Sequence, residues 1–157
     1  MKPKNYMSAR ALLSLIVLPV WSLGFVGCAK PVAVTFDNLC KKENNNLSIS
    51  IEGYLTTGTS VLCSSRDGKR TCGLELLDTP DGTNRINAYV EEGTGKSQME
   101  PLPKSYSKDN LRLHDNEGKV LGPQDRVRVI GIAKSDGDGA NASYVICYVN
   151  ILKIERP

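Results

Sequence analysis

Five cysteines are the residues of this chain with the most definite chemistry. Cys28 ends an apolar N-terminal stretch, whereas Cys40, Cys63, Cys72 and Cys147 are spread over the remaining sequence. An even number of cysteines in an exported chain is typical of disulfides, and four cysteines allow three pairings. A zinc site is the alternative, but the sequence has no Cys-x-x-Cys spacing and a single histidine. The pattern therefore favours two disulfides, with no metal or other cofactor.

The position of two cysteines favours one of the three pairings. Cys63 and Cys72 flank residues 64–71, a polar segment that contains a turn-forming Asp-Gly pair. We expect a disulfide that closes this loop, which leaves Cys40 to pair with Cys147.

The N-terminal residues have the features of a secretory signal peptide. Lys2, Lys4 and Arg10 come first, with no acidic residue among them, and residues 11–26 are mostly apolar. A membrane-spanning helix needs about 20 consecutive apolar residues, so this stretch is short for a span. The pattern predicts export, with residues 1–27 as the signal.

The end of this stretch resembles a known processing motif. Phe25-Val26-Gly27-Cys28 is similar to the lipobox of bacterial lipoproteins, although Leu is usual where this chain has Phe. The resemblance implies cleavage before Cys28 and acylation of that residue, and two or three acyl chains give stable membrane anchoring. Ala29 follows where Asp would retain a lipoprotein at the inner membrane, which implies the outer membrane if the cell is Gram-negative. An ordinary cleaved signal or a retained apolar anchor is the alternative.

Cleavage changes the size and the charge of the chain. Without residues 1–27, 130 of 157 residues remain, enough for one domain and too few for two. The signal contains three basic and no acidic residues, so the 20 basic and 17 acidic residues become 17 of each. Nucleic-acid binding relies on Lys and Arg to neutralise phosphates, so nucleic acid is not an expected partner. We expect a tether over 28–46 and a domain over 47–157.

The domain shows the period-two alternation of β-strands. Strands are predicted near residues 47–55, 71–77, 85–91, 126–133 and 144–154. Gly53 within the first strand indicates a bulge or sharp bend. A turn over residues 78–82 predicts that the second and third strands form a hairpin.

Two stretches of this pattern resemble a known fold. They are Gly122-Pro-Gln-Asp125-Arg-Val127-Arg-Val129-Ile-Gly131 and Ser50-Ile-Glu-Gly53-Tyr54. Together they resemble small bacterial lipoproteins with a tRNA-anticodon-binding-like OB domain, over roughly residues 47–155. The resemblance implies a mostly β fold, a small five-stranded Greek-key barrel. Another small β-barrel or a β-sandwich is the alternative. The extra cysteines depart from cytosolic members and argue that an inherited nucleic-acid role has been lost.

Polar and aromatic residues alternate with the predicted core on three of these strands. If they share one open face, tyrosine rings and arginine forks there suit an oligosaccharide, a peptide strand or a nucleotide. The alternative is the solvated face of an antiparallel sheet. The candidate binding residues of this face are Tyr54, Arg85, Asn87, Tyr89, Arg126 and Arg128, with Glu52 beside them.

The predicted loop between Cys63 and Cys72 offers a second candidate surface. Its basic residues, Arg66, Lys69 and Arg70, have the charge to contact an anionic lipid, a glycan or a partner protein. Ordinary solvation of an exposed loop is the alternative.

The sequence contains no complete catalytic motif and no complete calcium-binding motif. His114 lies beside Asp115, but no nucleophile-elbow motif positions a serine for them, so no enzyme is predicted. Asp136 and Asp138 lack the closing residues of an EF-hand loop and instead fit a hairpin turn.

Together these patterns predict a non-catalytic lipoprotein of the cell envelope, anchored to the membrane by Cys28, whose OB-like domain binds a protein, a peptide or a glycan. A structural or stress-protective protein with no discrete ligand is one alternative. Extracytoplasmic nucleic-acid binding is another.

Overall fold

Alternating apolar residues build a sheet of long strands that closes on itself. The computed structural model describes residues 30–122, 124–135 and 147–157, so residues 1–29 with Cys28, and 136–146 with Asp136 and Asp138, lie outside it. The strands of the described residues are β1 (Val32–Ala33), β2 (Ser48–Thr56), β3 (Cys63–Arg66), β4 (Lys69–Leu77), β5 (Arg85–Glu91), β6 (Leu113–His114), β7 (Val120–Leu121), β8 (Arg126–Ser135) and β9 (Cys147–Glu155). Two short 3-10 turns cover Lys42–Asn44 and Lys108–Asn110. No helix of the described residues is long and apolar enough to cross a membrane.

Five of the strands form a closed barrel. Their order is β2, β8, β9, β5 and β4, and a further pairing of β4 with β2 closes the ring. All of these pairs are antiparallel except β5 with β9, which are parallel. This order and direction are those of an OB-fold, the small Greek-key barrel that was predicted. The predicted fold class and the predicted hairpin of β4 and β5 are confirmed.

Gly53 marks the place where β2 changes partner. Residues 48–54 of β2 pair with β8, whereas residues 54–56 pair with β4. A Cβ atom on Gly53 would lie 2.4 Å from the carbonyl oxygen of Leu77 and 3.1 Å from Cζ of Phe36. Gly53, where a bulge or bend was predicted, therefore lies where the barrel closes, and this position needs a residue without a side chain.

Gly131 on β8 is a second position where the backbone of a neighbouring strand approaches closely. The register between β8 and β9 shifts between Ile130 and Gly131, which is a β-bulge. A Cβ atom on Gly131 would lie 2.4 Å from the carbonyl oxygen of Asn150. The two strands approach too closely there for any other residue.

The barrel interior is a single apolar core, and both predicted disulfides border it. The bonds join Cys40 to Cys147 and Cys63 to Cys72. The pairing of Cys63 with Cys72 links β3 to β4 directly, because these residues are opposite each other in register. The loop predicted at residues 64–71 is therefore a β-hairpin, and its first strand is an element that the alternation pattern did not predict.

Part of the segment predicted as a tether belongs to the folded domain. β1 pairs in parallel with β2, Leu39 has no exposed surface, and the Asn46 amide donates to the carbonyl of Ala133 at 2.8 Å. The disulfide from Cys40 fixes the same segment to β9. Within the described residues, 32–46 therefore lie against the barrel and do not act as a free spacer. The tether prediction is corrected here: Leu39 and Cys40 bind this segment to the core.

The long segment between β5 and β8 has little regular structure, but several of its apolar side chains are buried against the barrel. β6 and β7 form a small antiparallel pair within it. Met99, Leu111, Leu113 and Leu121 are all buried and join the barrel core. These side chains hold the segment against the barrel.

Candidate binding face

The outer surface of β4, β5 and β9 carries polar and aromatic side chains. Alternate residues of β4 and β5 are buried in the core, and so is Val149 of β9, so the residues beside them point outward. Strand register places Gly73 opposite Tyr89, Glu75 opposite Asn87, and Tyr148 beside Asn87. We call these five residues the Tyr89 face.

Two tyrosine rings form the aromatic part of the Tyr89 face. The rings of Tyr89 and Tyr148 meet edge to face, with centroids 5.1 Å apart and planes at 87°. Such a geometry is the favourable one for aromatic pairs. A Cβ atom added at Gly73 would lie 3.3 Å from Cε1 of Tyr89, so the Tyr89 ring rests against the glycine backbone. Both contacts restrict where the Tyr89 ring can point.

A cleft lies between the Tyr89 face and the connection from β2 to β3. Its volume is about 350 Å³, which is at the small end of the range for ligand sites. The sheet contributes Glu75, Asn87 and Tyr89, and the connection contributes Thr59, Ser60 and Leu62. Leu62 is 77% exposed, so its apolar side chain is open to solvent beside the cleft. The cleft thus combines one ring, apolar contacts and several hydrogen-bonding groups.

The charge of the cleft is nearly balanced. Glu75 lines it, and Nη1 of Arg85 lies 3.4 Å from Oε1 of Glu75. Both side chains keep access to solvent, so the pair contributes little stability. Arg85 therefore offsets the negative charge of Glu75 and leaves its oxygens able to accept further hydrogen bonds.

The two arginines of β8 belong to a different group. Arg128 donates two hydrogen bonds to Oε1 of Glu52, from Nε at 3.1 Å and from Nη2 at 2.7 Å. Arg126 lies 3.2 Å from the other oxygen of Glu52, and Arg128 also approaches Glu155 at 4.0 Å. The hydrogen bond from Arg128, and then the charges of both arginines, lower the pKa of Glu52 against the opposing effect of desolvation. These arginines are occupied by ion pairs.

The structure thus divides the predicted face into two groups. Arg85, Asn87 and Tyr89 lie together on the Tyr89 face or at its edge, whereas Arg126 and Arg128 surround Glu52 on the wall of β2 and β8. Tyr54 lies between the groups, opposite Arg126 on one side and Leu77 on the other. Strand order around the barrel, which alternation along the chain does not specify, causes the division.

The basic residues of the β3–β4 hairpin are also largely paired. Lys69 lies 3.0 Å from Glu91, and Arg70 lies 3.4 Å from Glu92. Arg66 is at the exposed tip, where its Nε lies 3.7 Å from a carboxylate oxygen of Asp67. The acids at the end of β5 reduce the positive charge that was expected of this surface.

The cysteine pair of the hairpin also bears on metal binding. Cys63, Cys72 and Glu92 lie close enough together to resemble a ligand set. The two sulfurs are bonded to each other, however, so they do not offer thiolates to a metal.

His114 and Asp115 hold the irregular segment in place. Nε2 of His114 lies 2.9 Å from Oε1 of Glu100, and Nδ1 lies 3.3 Å from the carbonyl oxygen of Gly118. Both ring nitrogens therefore face oxygen atoms of the same segment. These contacts connect separate parts of the irregular segment.

Asp115 is the most deeply buried carboxylate of this region. Its Oδ1 accepts hydrogen bonds from the amides of Glu117 at 2.9 Å and Lys119 at 2.8 Å, and Arg156 donates to Oδ2 at 3.2 Å. Burial alone would raise the pKa of Asp115, but these three donors outweigh it and lower the pKa below its ordinary value. The charged Asp115 carboxylate therefore links this segment to Arg156 near the C-terminus.

Sequence reasoning missed several residues of the cleft and of the Tyr89 face, including Tyr148, Glu75 and Leu62. Tyr148 alternates with Cys147 and Val149, so the period-two pattern of β9 could have placed it outward. Glu75 alternates in the same way with Leu74 and Leu76. Leu62 carried no such signal, because it lies outside a strand.

Comparison with known proteins adds little to this description. No protein-family model and no curated protein matches the chain. An OB domain from Thermoplasma acidophilum, solved in solution by NMR, is similar at 18% identity, over 80% of this chain and 86% of that chain, with a TM-score of 0.39. The assignment of this chain to the OB architecture rests on its own strand order and closure.

Proposed function

We propose that this chain is a non-catalytic lipoprotein of the bacterial cell envelope, whose OB-like barrel binds a partner through the Tyr89 face. The partner class is a protein, a peptide or a glycan. The cleft beside Tyr89 is the observation that carries this proposal.

The position of the cleft supports a binding role. OB-folds commonly bind ligands on the outer face of their second and third strands, which correspond to β4 and β5 here. The cleft lies on that face and brings a fixed ring, a carboxylate and an amide together.

Two features support the envelope address. The lipobox-like end of the signal precedes Cys28, and the two disulfides of the domain suit an oxidising compartment. Because β1 begins at residue 32 and the disulfide from Cys40 fixes the same segment to β9, a lipid on Cys28 would be separated from the domain by only a few residues of chain. A partner would then be bound near the membrane surface.

Ion pairing counts against the nucleic-acid alternative. Arg126, Arg128, Lys69 and Arg70 all have carboxylate partners. Phosphate binding would require these pairs to break, which lowers the net gain from each arginine or lysine.

The address is tested by mass spectrometry of the Cys28 peptide from intact cells. We expect acylation of Cys28, and loss of membrane association in the Cys28→Ser variant. An unmodified Cys28 in a cleaved, released chain would overturn the lipoprotein assignment.

The binding role is tested by chemical cross-linking in intact cells. A tagged wild-type chain is compared with a variant that carries Glu75→Ala, Asn87→Ala and Tyr89→Ala. We expect a reproducible captured species that the triple variant loses. The control variant is Arg126→Ala with Arg128→Ala, which alters the Glu52 group and leaves the Tyr89 face intact. Equal capture by all three chains would contradict the proposal, and absence of any captured species would favour the structural alternative.

A further inference from the structure

We infer that the cleft beside Tyr89 binds one uncharged pyranose unit of a glycan. This inference rests on the proposed function and names the ligand class of the same site.

The first argument is the chemistry of the cleft wall. A pyranose ring has an apolar face of C–H groups and an equatorial rim of hydroxyl groups. The aromatic ring of Tyr89 can pack against the apolar C–H face. Glu75 accepts hydrogen bonds from hydroxyl groups, whereas the Asn87 amide both donates and accepts. Glu75 and Asn87 are opposite each other in register, so they can address neighbouring hydroxyls of one ring.

The second argument is charge. Arg85 lies 3.4 Å from Glu75, which removes the net charge that would attract an ionic ligand. The Glu75 carboxylate in the cleft wall would repel an anionic sugar, and the Arg85 guanidinium beside Glu75 would repel a cationic peptide side chain. A ligand without charge avoids both costs, because burial of an unpaired charge is unfavourable.

The third argument is the shape of the opposite wall. Thr59 and Ser60 place hydroxyl groups along the connection, and Leu62 places an exposed apolar side chain at the mouth of the cleft. A volume of about 350 Å³ suits a small unit. The exposed Leu62 would contact a neighbouring unit of the same chain of sugars, or an acetamido methyl group.

The inference is tested by titration of the full mature chain with trisaccharides, followed by amide NMR shifts. The probes are tri-N-acetylchitotriose, cellotriose and maltotriose, and trigalacturonic acid serves as an anionic probe. We expect at least one uncharged trisaccharide to shift the amides of β4, β5 and residues 58–62, and trigalacturonic acid to bind more weakly.

Variants identify the site. Tyr89→Ala is expected to weaken binding about tenfold or more, which corresponds to the loss of one stacking contact. Since Tyr89 also covers Gly73, its loss could disturb folding, and the exposed Asn87→Ala and Leu62→Ala variants therefore repeat the test. The matched control is Leu152→Ala, because Leu152 is another exposed leucine on the same barrel. This variant should change the affinity by no more than about twofold, far less than the tenfold loss expected of Tyr89→Ala.

The outcomes separate the two proposals. Binding of no uncharged trisaccharide, or affinity unchanged in all three cleft variants, would overturn the glycan inference. If cellular capture still depends on the Tyr89 face in that case, the proposed function stands with a protein or peptide as the partner. If both fail, the proposed function fails as well.

Discussion

Tyr89 and Tyr148 pack edge to face across the only parallel strand pair of the barrel, as the described residues define it, with ring centroids 5.1 Å apart. Parallel pairing brings the start of β9, next to the disulfide at Cys147, beside the middle of β5. The orientation of the ring in the cleft therefore depends on a strand that is distant in sequence.

Replacement of Tyr148 by Ala should weaken both stability and binding. The aromatic pair contributes about 1 kcal/mol beyond simple burial, and its loss frees the Tyr89 ring. Urea unfolding and partner capture provide the two measurements. Tyr148→Phe keeps the ring and should preserve both. A Phe variant as impaired as the Ala variant would show that the hydroxyl group, not the ring contact, is what matters.

Asp115→Asn should remove part of the acid sensitivity of the fold. Because the pKa of Asp115 is lowered in the folded state, its contribution to stability is present above its unfolded pKa, about 3.9, and is lost as pH falls through the lower folded value. We expect the variant to lose about 2 kcal/mol at pH 7, since bonds to a charged acceptor are lost. At acid pH the difference should shrink. Urea unfolding at pH 7 and pH 3 measures this difference. If the difference in unfolding free energy were the same at both pH values, the charge of Asp115 would not be what stabilises the fold.

The two disulfides should differ in their effect on stability. Cys40 and Cys147 are separated by 107 positions, whereas Cys63 and Cys72 are separated by 9. Loop entropy predicts a loss of about 5 kcal/mol for the long loop and about 3 kcal/mol for the short one. Paired Cys→Ala variants, unfolded in urea, compare the two. A larger loss from the short pair would show that the hairpin disulfide acts mainly through native-state contacts.

Gly131→Ala should disturb the barrel wall. The added Cβ would lie 2.4 Å from a backbone oxygen of β9, so the strands must separate, at a cost of about 2–4 kcal/mol. Gly122→Ala is the matched control, because its nearest neighbour would be a side-chain oxygen 4.0 Å away. Equal melting temperatures for the two variants would contradict the close approach of β8 and β9.

The alternation of apolar and polar residues was sufficient to predict the five barrel strands. It did not predict which outward-facing residues lie together on the surface. The strand predicted at 85–91 is the observed β5, and Gly53 lies where β2 changes its partner from β8 to β4, because both signals are local. β3 was missed, since Ser64, Ser65 and Arg66 are exposed and carry no apolar period. Leu39 was missed as well, because it does not continue the period-two spacing of Val32, Val34 and Phe36 before it. The division of the predicted face follows from strand order, which depends on contacts between distant residues.

The most direct test of the account is a photo-cross-linking amino acid placed at position 62, at the mouth of the cleft, in intact cells. The same group at position 152, which is also exposed on the barrel, provides the comparison. We expect a specific adduct from position 62 only, and its loss when Tyr89→Ala is added. Identical adducts from both positions, or an adduct at 62 that is indifferent to Tyr89, would contradict a binding role for this face.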